Sequence, residues 1–163
     1  MDIRRATDAD IPQVLDLLVP VCNVHANGRP ALFVRDTTKY TADELSQIFR
    51  DDSTPVFVAV EPADANDPAA GERVLGYAFC IYQDWNGNNA TGVRTLYVDD
   101  ICVDESARGK HVGTSLYNHV IDFARREGFH NVTLNVWSCN PGALKFYEAM
   151  GMKPQKIGME TIL

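Results

Sequence analysis

The sequence predicts an α/β domain, a mixed, mostly antiparallel sheet with about four helices on its faces, in the order β-α-α-β-β-β-α-β-α-β. Three observations carry that reading. Tyr97–Val103 is an apolar, β-branched run, the pattern of a buried strand. Directly after it, Val103-Asp-Glu-Ser-Ala-Arg-Gly-Lys-His-Val-Gly113 leads into a change of period. Val112, Leu116, Val120 and Phe123 lie four, four and three apart, and Tyr117, Ile121 and Ala124 form a second stripe beside them, so this helix buries a wide face. Short strand runs and helical stripes alternate over the rest of the chain. Its 163 residues suit one domain, 1–163, able to bury roughly 70% of its unfolded surface.

Ile3–Ala6 reads as the first strand. Thr7-x-x-Asp10 has the form of a capping box with Asp in place of the usual Glu. Ile11, Val14, Leu15 and Leu18 then form a helical stripe that Pro20 should end. Val21–Tyr40 has no clear period. Thr41-Ala-Asp-Glu44 is a full capping box, opening a helix to about Arg50. Val56–Val60 is a short buried strand, and Pro62–Gly71 a surface loop without the marks of a domain boundary. Val74–Tyr82 is the next strand. Asn86-Gly87 is a hairpin signal that makes Thr95–Val103 its antiparallel neighbour. Asn131–Val136 is a strand with Val132, Leu134 and Val136 on one face and Thr133 and Asn135, then Trp137, on the other. Ala143, Phe146, Tyr147 and Met150 make the last helical stripe, with Gly151 as its C′ residue. The tail to Leu163 should add one or two strands.

Composition narrows the function classes. Hydrophobic residues at 45% and charged ones at 23% are those of an ordinary globular protein. No apolar run approaches the ~20 residues that span a bilayer, and Met-Asp-Ile-Arg-Arg lacks the apolar core of a signal peptide, which predicts a cytoplasmic protein without a membrane partner. A net charge of −7 argues against nucleic-acid binding and suits a cationic substrate. Cys22, Cys80, Cys102 and Cys139 include no Cys-x-x-Cys pair and read as reduced small hydrophobes. Cys22-x-x-His25 has no second ligand pair, so no metal is expected.

Against that acidic balance, the basic cluster at 108–111 is local. A strand that turns through a basic, glycine-containing loop into a helix is a device for holding phosphate. The first-turn N–H groups lack intrahelical partners and the helix dipole places partial positive charge among them, while Arg108, Lys110 and His111 add donors. Asp99-Asp100 is the other oddity. Both faces of Thr95–Val103 are apolar, which marks a central strand, and two adjacent aspartates in it should point to opposite faces. Each needs a partner or a wet cleft, because a buried unpaired carboxylate is costly.

Arg108-Gly-Lys-His-Val-Gly113 resembles the coenzyme A loop of the GCN5-related N-acetyltransferases (GNAT): Arg or Gln, two residues, Gly, one residue, Gly or Ala. His111 stands where that pattern has its first Gly. Its Cβ is accommodated if the residue keeps a helical, negative φ, leaving its N–H to serve phosphate. Asn140-Pro-Gly-Ala-Leu-Lys-Phe-Tyr-Glu148 resembles the family's second acetyl-CoA segment, and Tyr97-Val-Asp-Asp-Ile-Cys-Val103 is similar to the spermidine/spermine acetyltransferases.

The resemblance implies the GNAT fold, with acetyl-CoA in a cleft between two splayed strands and no metal. Ile101 and Val103 would offer backbone groups to the pantetheine and acetyl. Arg108, Gly109, Lys110, His111, Val112, Gly113 and Thr114 would bind the pyrophosphate. Asn140, Ala143, Phe146 and Tyr147 would complete the cofactor site, Asn140 doubling as a helix N-cap. Tyr147, a phenol that stays protonated at neutral pH, would protonate the departing CoA thiolate. Asp99 falls on the family's proposed base and would take the amine proton through water. Asp100, Trp137 and Tyr40 would line the acceptor site, with His25, Arg29 and Arg35 nearby by analogy. The implied reaction is direct attack of a small cationic amine on the thioester, in a monomer or homodimer. A protein N-terminal or lysine amine, and a non-catalytic acyl-CoA sensor, are the competing readings.

Overall fold

A five-stranded sheet in the order β1-β2-β3-β4-β5 forms the centre of the computed structural model, which describes all residues except 65, 66 and 68–70. β1 (Asp2–Arg5), β2 (Val56–Pro62), β3 (Glu72–Asp84) and β4 (Arg94–Val103) are antiparallel neighbours. β5 (Asn131–Leu134) pairs parallel with β4, which its arrival through a crossover helix allows. The helices are α1 (Ile11–Gly28), α2 (Ala42–Arg50), α3 (Val112–Arg126) and α4 (Pro141–Ala149). Part of the Pro62–Gly71 loop lies outside the described residues.

Each face of the sheet carries its own core. On one, Val14, Leu17 and Leu18 of α1 and Leu45 and Phe49 of α2 pack on Val56, Val58, Val60, Tyr77, Phe79 and Cys102. On the other, Val112, Leu116, Val120 and Ala124 of α3 cover Phe57, Ala59, Ala78, Cys80, Leu96 and Val98. Cys80 and Cys102 are buried in strands, as small hydrophobes should be, and burial pushes both thiols up to about 12. The Thr7–Asp10 box ties the chain down before α1. Asp10 Oδ2 accepts from the Thr7 N–H at 2.8 Å, and its carboxylate takes a two-pronged bond from Arg4 at 2.8 and 2.9 Å. Thr41 and Glu44 close the second box reciprocally at 2.7 and 3.3 Å.

Three expectations about the course of the elements are overturned. α1 does not stop at Pro20 but runs to Gly28. An interior Pro costs a helix ~3 kcal/mol, and tertiary packing outweighs it. Ala26 beyond the proline is buried, and Gly28 lies so close to Cys139 that any Cβ would collide with its sulfur. The strand after α3 ends at Leu134, so Asn135, Val136 and Trp137 do not alternate across it. The tail from Met152 forms no strand. Pro154 lacks a ladder donor and Gly158 weakens a ladder, and Arg29 instead holds Glu160 at 2.5 Å against the end of α1.

Candidate active site

The ladder between β4 and β5 runs only from Thr95↔Asn131 to Val98↔Leu134, while β4 continues to Val103. Beyond Val98 the two strands part, and the next side chain after β5, Asn135, reaches back to donate to the Tyr97 hydroxyl at 3.1 Å. The β5-facing backbone of Asp99 to Val103 is therefore an open sheet edge. It leads into Asp104, whose carboxylate accepts from the Ser106 N–H at 2.9 Å and from Arg73 at 3.0 Å and so fixes the turn toward α3.

Where that turn enters α3, the first helical donors are left free. The first helical bond of α3 runs from the Ser115 N–H to the His111 carbonyl at 3.0 Å, and the N–H groups of Val112, Gly113 and Thr114 precede it. Gly109 has φ 76°, and Arg108 and Lys110 are exposed with no ion pair among the described residues. His111 departs from expectation. Its φ is 62° and ψ 14°, the left-handed region, so the residue is non-glycine in sequence but glycine-like in conformation. Gly in its place should relieve the strain, partly offset by the freedom it adds to the unfolded chain. His111→Gly is expected to raise stability by about 0.5–1 kcal/mol, and His111→Val to lower it, in denaturant midpoints at constant m.

Gly113 joins this turn to the other elements. A Cβ there would sit 3.4 Å from Val103 Cγ2 and 3.5 Å from Phe146 Cζ, so β4, α3 and α4 meet at one point. Phe146 packs edge-on to Tyr117, with ring centres 6.4 Å apart, and to Tyr147 at 5.2 Å. Ala143, Phe146 and Tyr147 of α4 and Met150 at its C-cap are all half-buried along one stripe. Asn140 caps that helix, accepting from the Ala143 N–H at 3.2 Å, and Gly151 at φ 86° ends it with Gly151 and Met152 donating to Glu148 and Tyr147. The Tyr147 hydroxyl bonds no protein group among the described residues. Burial, with the carboxylate of Asp100 and Tyr117 nearby, raises its pKa well above the phenol range.

The aspartate pair is arranged by a bulge. Phe79 faces Asp100 but Cys80 faces Val98, so Asp99 is the extra residue of β4. The bulge reverses the alternation: Leu96 and Val98 before it, and Ile101 and Val103 after it, all pack on the α3 side. Asp99 and Asp100 consequently both address residues on the α1/α2 side rather than opposite faces. Asp99 Oδ2 accepts from Lys39 Nζ at 2.5 Å and from the Tyr40 hydroxyl at 3.1 Å. Asp100 accepts from the buried Tyr77 hydroxyl at 2.7 Å. Burial pushes Asp100 up to about 6 against that bond, and pushes Tyr77 far above its usual value. Burial alone would lower Lys39, yet its bond to Asp99 leaves the ammonium above its ordinary value.

Trp137, Arg29 and His25 gather elsewhere, at the end of α1. The Trp137 ring stands edge-on to Phe33 at 5.4 Å and 6.5 Å from His25, with the Arg29 guanidinium 5.8 Å above it. Arg35 bonds Asn27. A cleft of about 370 Å³ runs between α1 and the end of β4, from Gln13, Leu17 and Val24 past Cys102 to Arg108. Lys39 and Tyr77 were not visible as site residues in the sequence. Lys39 lies in the aperiodic stretch before Thr41, and Tyr77 reads as one more apolar strand position. Among the described residues, no group of three His, Cys, Asp or Glu could hold a metal, and no helix is long and apolar enough to cross a membrane.

Fold and site together define an α/β protein that presents an anion-receptive helix N-terminus at the open edge of a splayed sheet. Residues 23–152 match the model of the acetyltransferase (GNAT) family, and the chain belongs to that family. It is 32% identical over 90 residues to thialysine N-epsilon-acetyltransferase of Mus musculus, covering 52% of this chain and 49% of that protein. It is 35% identical over 78 residues to streptothricin acetyltransferase of Streptomyces lavendulae, covering 48% and 38%. The chain thus spans about half or less of these relatives' own length. Among solved structures, the tetramutant of BH1408 protein from Bacillus halodurans aligns over 100% of both chains with a TM-score of 0.90 at 25% identity.

Proposed function

We propose that the chain is an acetyl-CoA-dependent N-acetyltransferase acting on a small cationic amine by direct attack in a ternary complex. The observation that carries this reading is the meeting of Val103, Gly113 and Phe146, which brings an open strand edge, a helix N-terminus with free N–H groups and the Tyr147 helix together. These residues suit acetyl-CoA: backbone groups along an extended edge for pantetheine, and N–H donors with Arg108 and Lys110 for pyrophosphate. Bound there, acetyl-CoA supplies the activated acyl group. Asp99 accepts the amine proton through water, Tyr40 and Asp100 line the acceptor side, and Tyr147 donates a proton to the leaving thiolate. The relatives named for thialysine and streptothricin support an amine acceptor.

The first test is ligand-linked stability. At 100 times its dissociation constant, acetyl-CoA should stabilise the fold by ~2.7 kcal/mol, read as a thermal shift. Arg108→Glu should weaken coenzyme A binding far more than it weakens binding of pantetheine lacking the nucleotide, and equal losses would move the phosphate site elsewhere. A thioester-consumption screen across polyamines, lysine-like amino acids, aminoglycosides and N-terminal peptides then tests the acceptor class. Binding without turnover of any amine would favour a sensor.

A further inference from the structure

Beside the open edge of β4 a carboxylate already holds an amine, and it is the chain's own. Lys39 Nζ lies 2.5 Å from Asp99 Oδ2, beside the Tyr40 hydroxyl that shares the same oxygen at 3.1 Å, and 5.2 Å from the centre of the Tyr40 ring. A carboxylate, a phenol oxygen and an aromatic face around an ammonium are what recognition of a primary amine requires. The surroundings are also selective. The Asp99 side chain is 16% exposed against 46% for Lys39, so the cation reaches inward to a sheltered anion rather than pairing on open surface. Asp99 is the bulged residue at which β4 leaves β5, so this amine stands where the open edge begins.

We infer that Lys39 is a site of self-acetylation, its side chain serving as a tethered acceptor when no free amine is present. The inference rests on the proposed acetyl transfer. The Lys39 ammonium gives one proton to Asp99, through which it passes to solvent. The neutral nitrogen attacks the acetyl carbonyl, forming the N–C bond while the C–S bond of the thioester breaks. The second proton leaves the nitrogen as the amide forms, and one proton ends on the coenzyme A sulfur. The products are Nε-acetyl-Lys39 and coenzyme A thiol. The step is redox-neutral and needs no further reactant. It abolishes the charge that covers Asp99.

The test contrasts two acylating agents on the intact protein, with Lys145, Lys153 and Lys156 as exposed internal references. A small soluble activated ester, with no acetyl-CoA present, should label Lys39 several-fold more slowly than the references, because its amine is protonated and paired. Acetyl-CoA without an acceptor amine should reverse the order, acetylating Lys39 first and to near stoichiometry by peptide mass spectrometry. Lys39→Arg, which keeps a cation for Asp99, should remove that mass gain. Asp99→Asn should slow it by ~100-fold while quickening Lys39 labelling by the ester. Equal rates for all lysines with acetyl-CoA, or rapid ester labelling of Lys39 in the wild type, would overturn the inference. If acetyl-CoA binds and a free amine is acetylated but Lys39 is not, self-acetylation fails alone. If no acetyl-CoA binding is found, it falls together with the proposed function.

Discussion

Tyr147→Phe should lower kcat ~100-fold or more while the acetyl-CoA dissociation constant stays within a few-fold of wild type. A thiolate leaving group with the pKa of an ordinary thiol, ~8.5, is better expelled with a proton at pH 7. Burial keeps the Tyr147 phenol protonated well beyond that range, so across neutral pH it always has a proton to give. The substitution tests that proton with little else disturbed. The ring stays packed 5.2 Å from Phe146, and the hydroxyl has no protein hydrogen bond among the described residues whose loss would unsettle the fold. Melting temperature should therefore hardly move. Single-turnover rates and a binding titration on the same preparation separate the outcomes. Wild-type turnover from Tyr147→Phe would mean that water or another donor protonates the thiolate. A parallel loss of acetyl-CoA binding would make Tyr147 a packing residue.

The largest stability effect is expected from Asp10→Ala. Asp10 is 4% exposed and binds Arg4 through both oxygens, while also accepting from Thr7; Arg4 bonds Glu72 at 2.6 Å as well. Removing the carboxylate takes the shared acceptor from the helix entrance and from a partly buried guanidinium that keeps only Glu72 and the Arg5 carbonyl, a change that costs ~3 kcal/mol. For a chain of this size that corresponds to a fall in Tm of about 10 °C. The pH dependence has a definite sign. Burial alone would raise Asp10, but the bonds from Arg4 and Thr7 outweigh it and hold the acid below its ordinary value. Stability from a depressed carboxylate is present above the unfolded pKa of ~3.9 and is lost as pH falls through the folded value. The gap between wild type and Asp10→Ala should be full at pH 7 and narrow below ~4. A gap under ~1 kcal/mol at pH 7, or one that widens in acid, would remove this network from the interactions that hold α1 to the sheet.

The elements legible in the chain alone rest on local physics. The stripe Val112, Leu116, Val120 and Phe123, the Thr41–Glu44 box, the Asn140 cap and the Gly151 stop all involve residues within a turn or two of one another, and all stand in the fold. The strand–basic turn–helix unit and the half-buried Tyr147 stripe were legible for the same reason. The setting of the two aspartates was not. Strand alternation assigns Asp99 and Asp100 to opposite faces, and only pairing with β3 reveals the extra residue that reverses the alternation and brings both to the α1/α2 side. Lys39 comes to Asp99 across sixty positions of chain from a stretch with no period of its own. Pro20 stays inside α1 because contacts distant in sequence, those of Ala26 and Gly28, outweigh a local preference of ~3 kcal/mol. Local order is written in neighbouring residues. The register of one strand against another is decided only when the whole sheet packs.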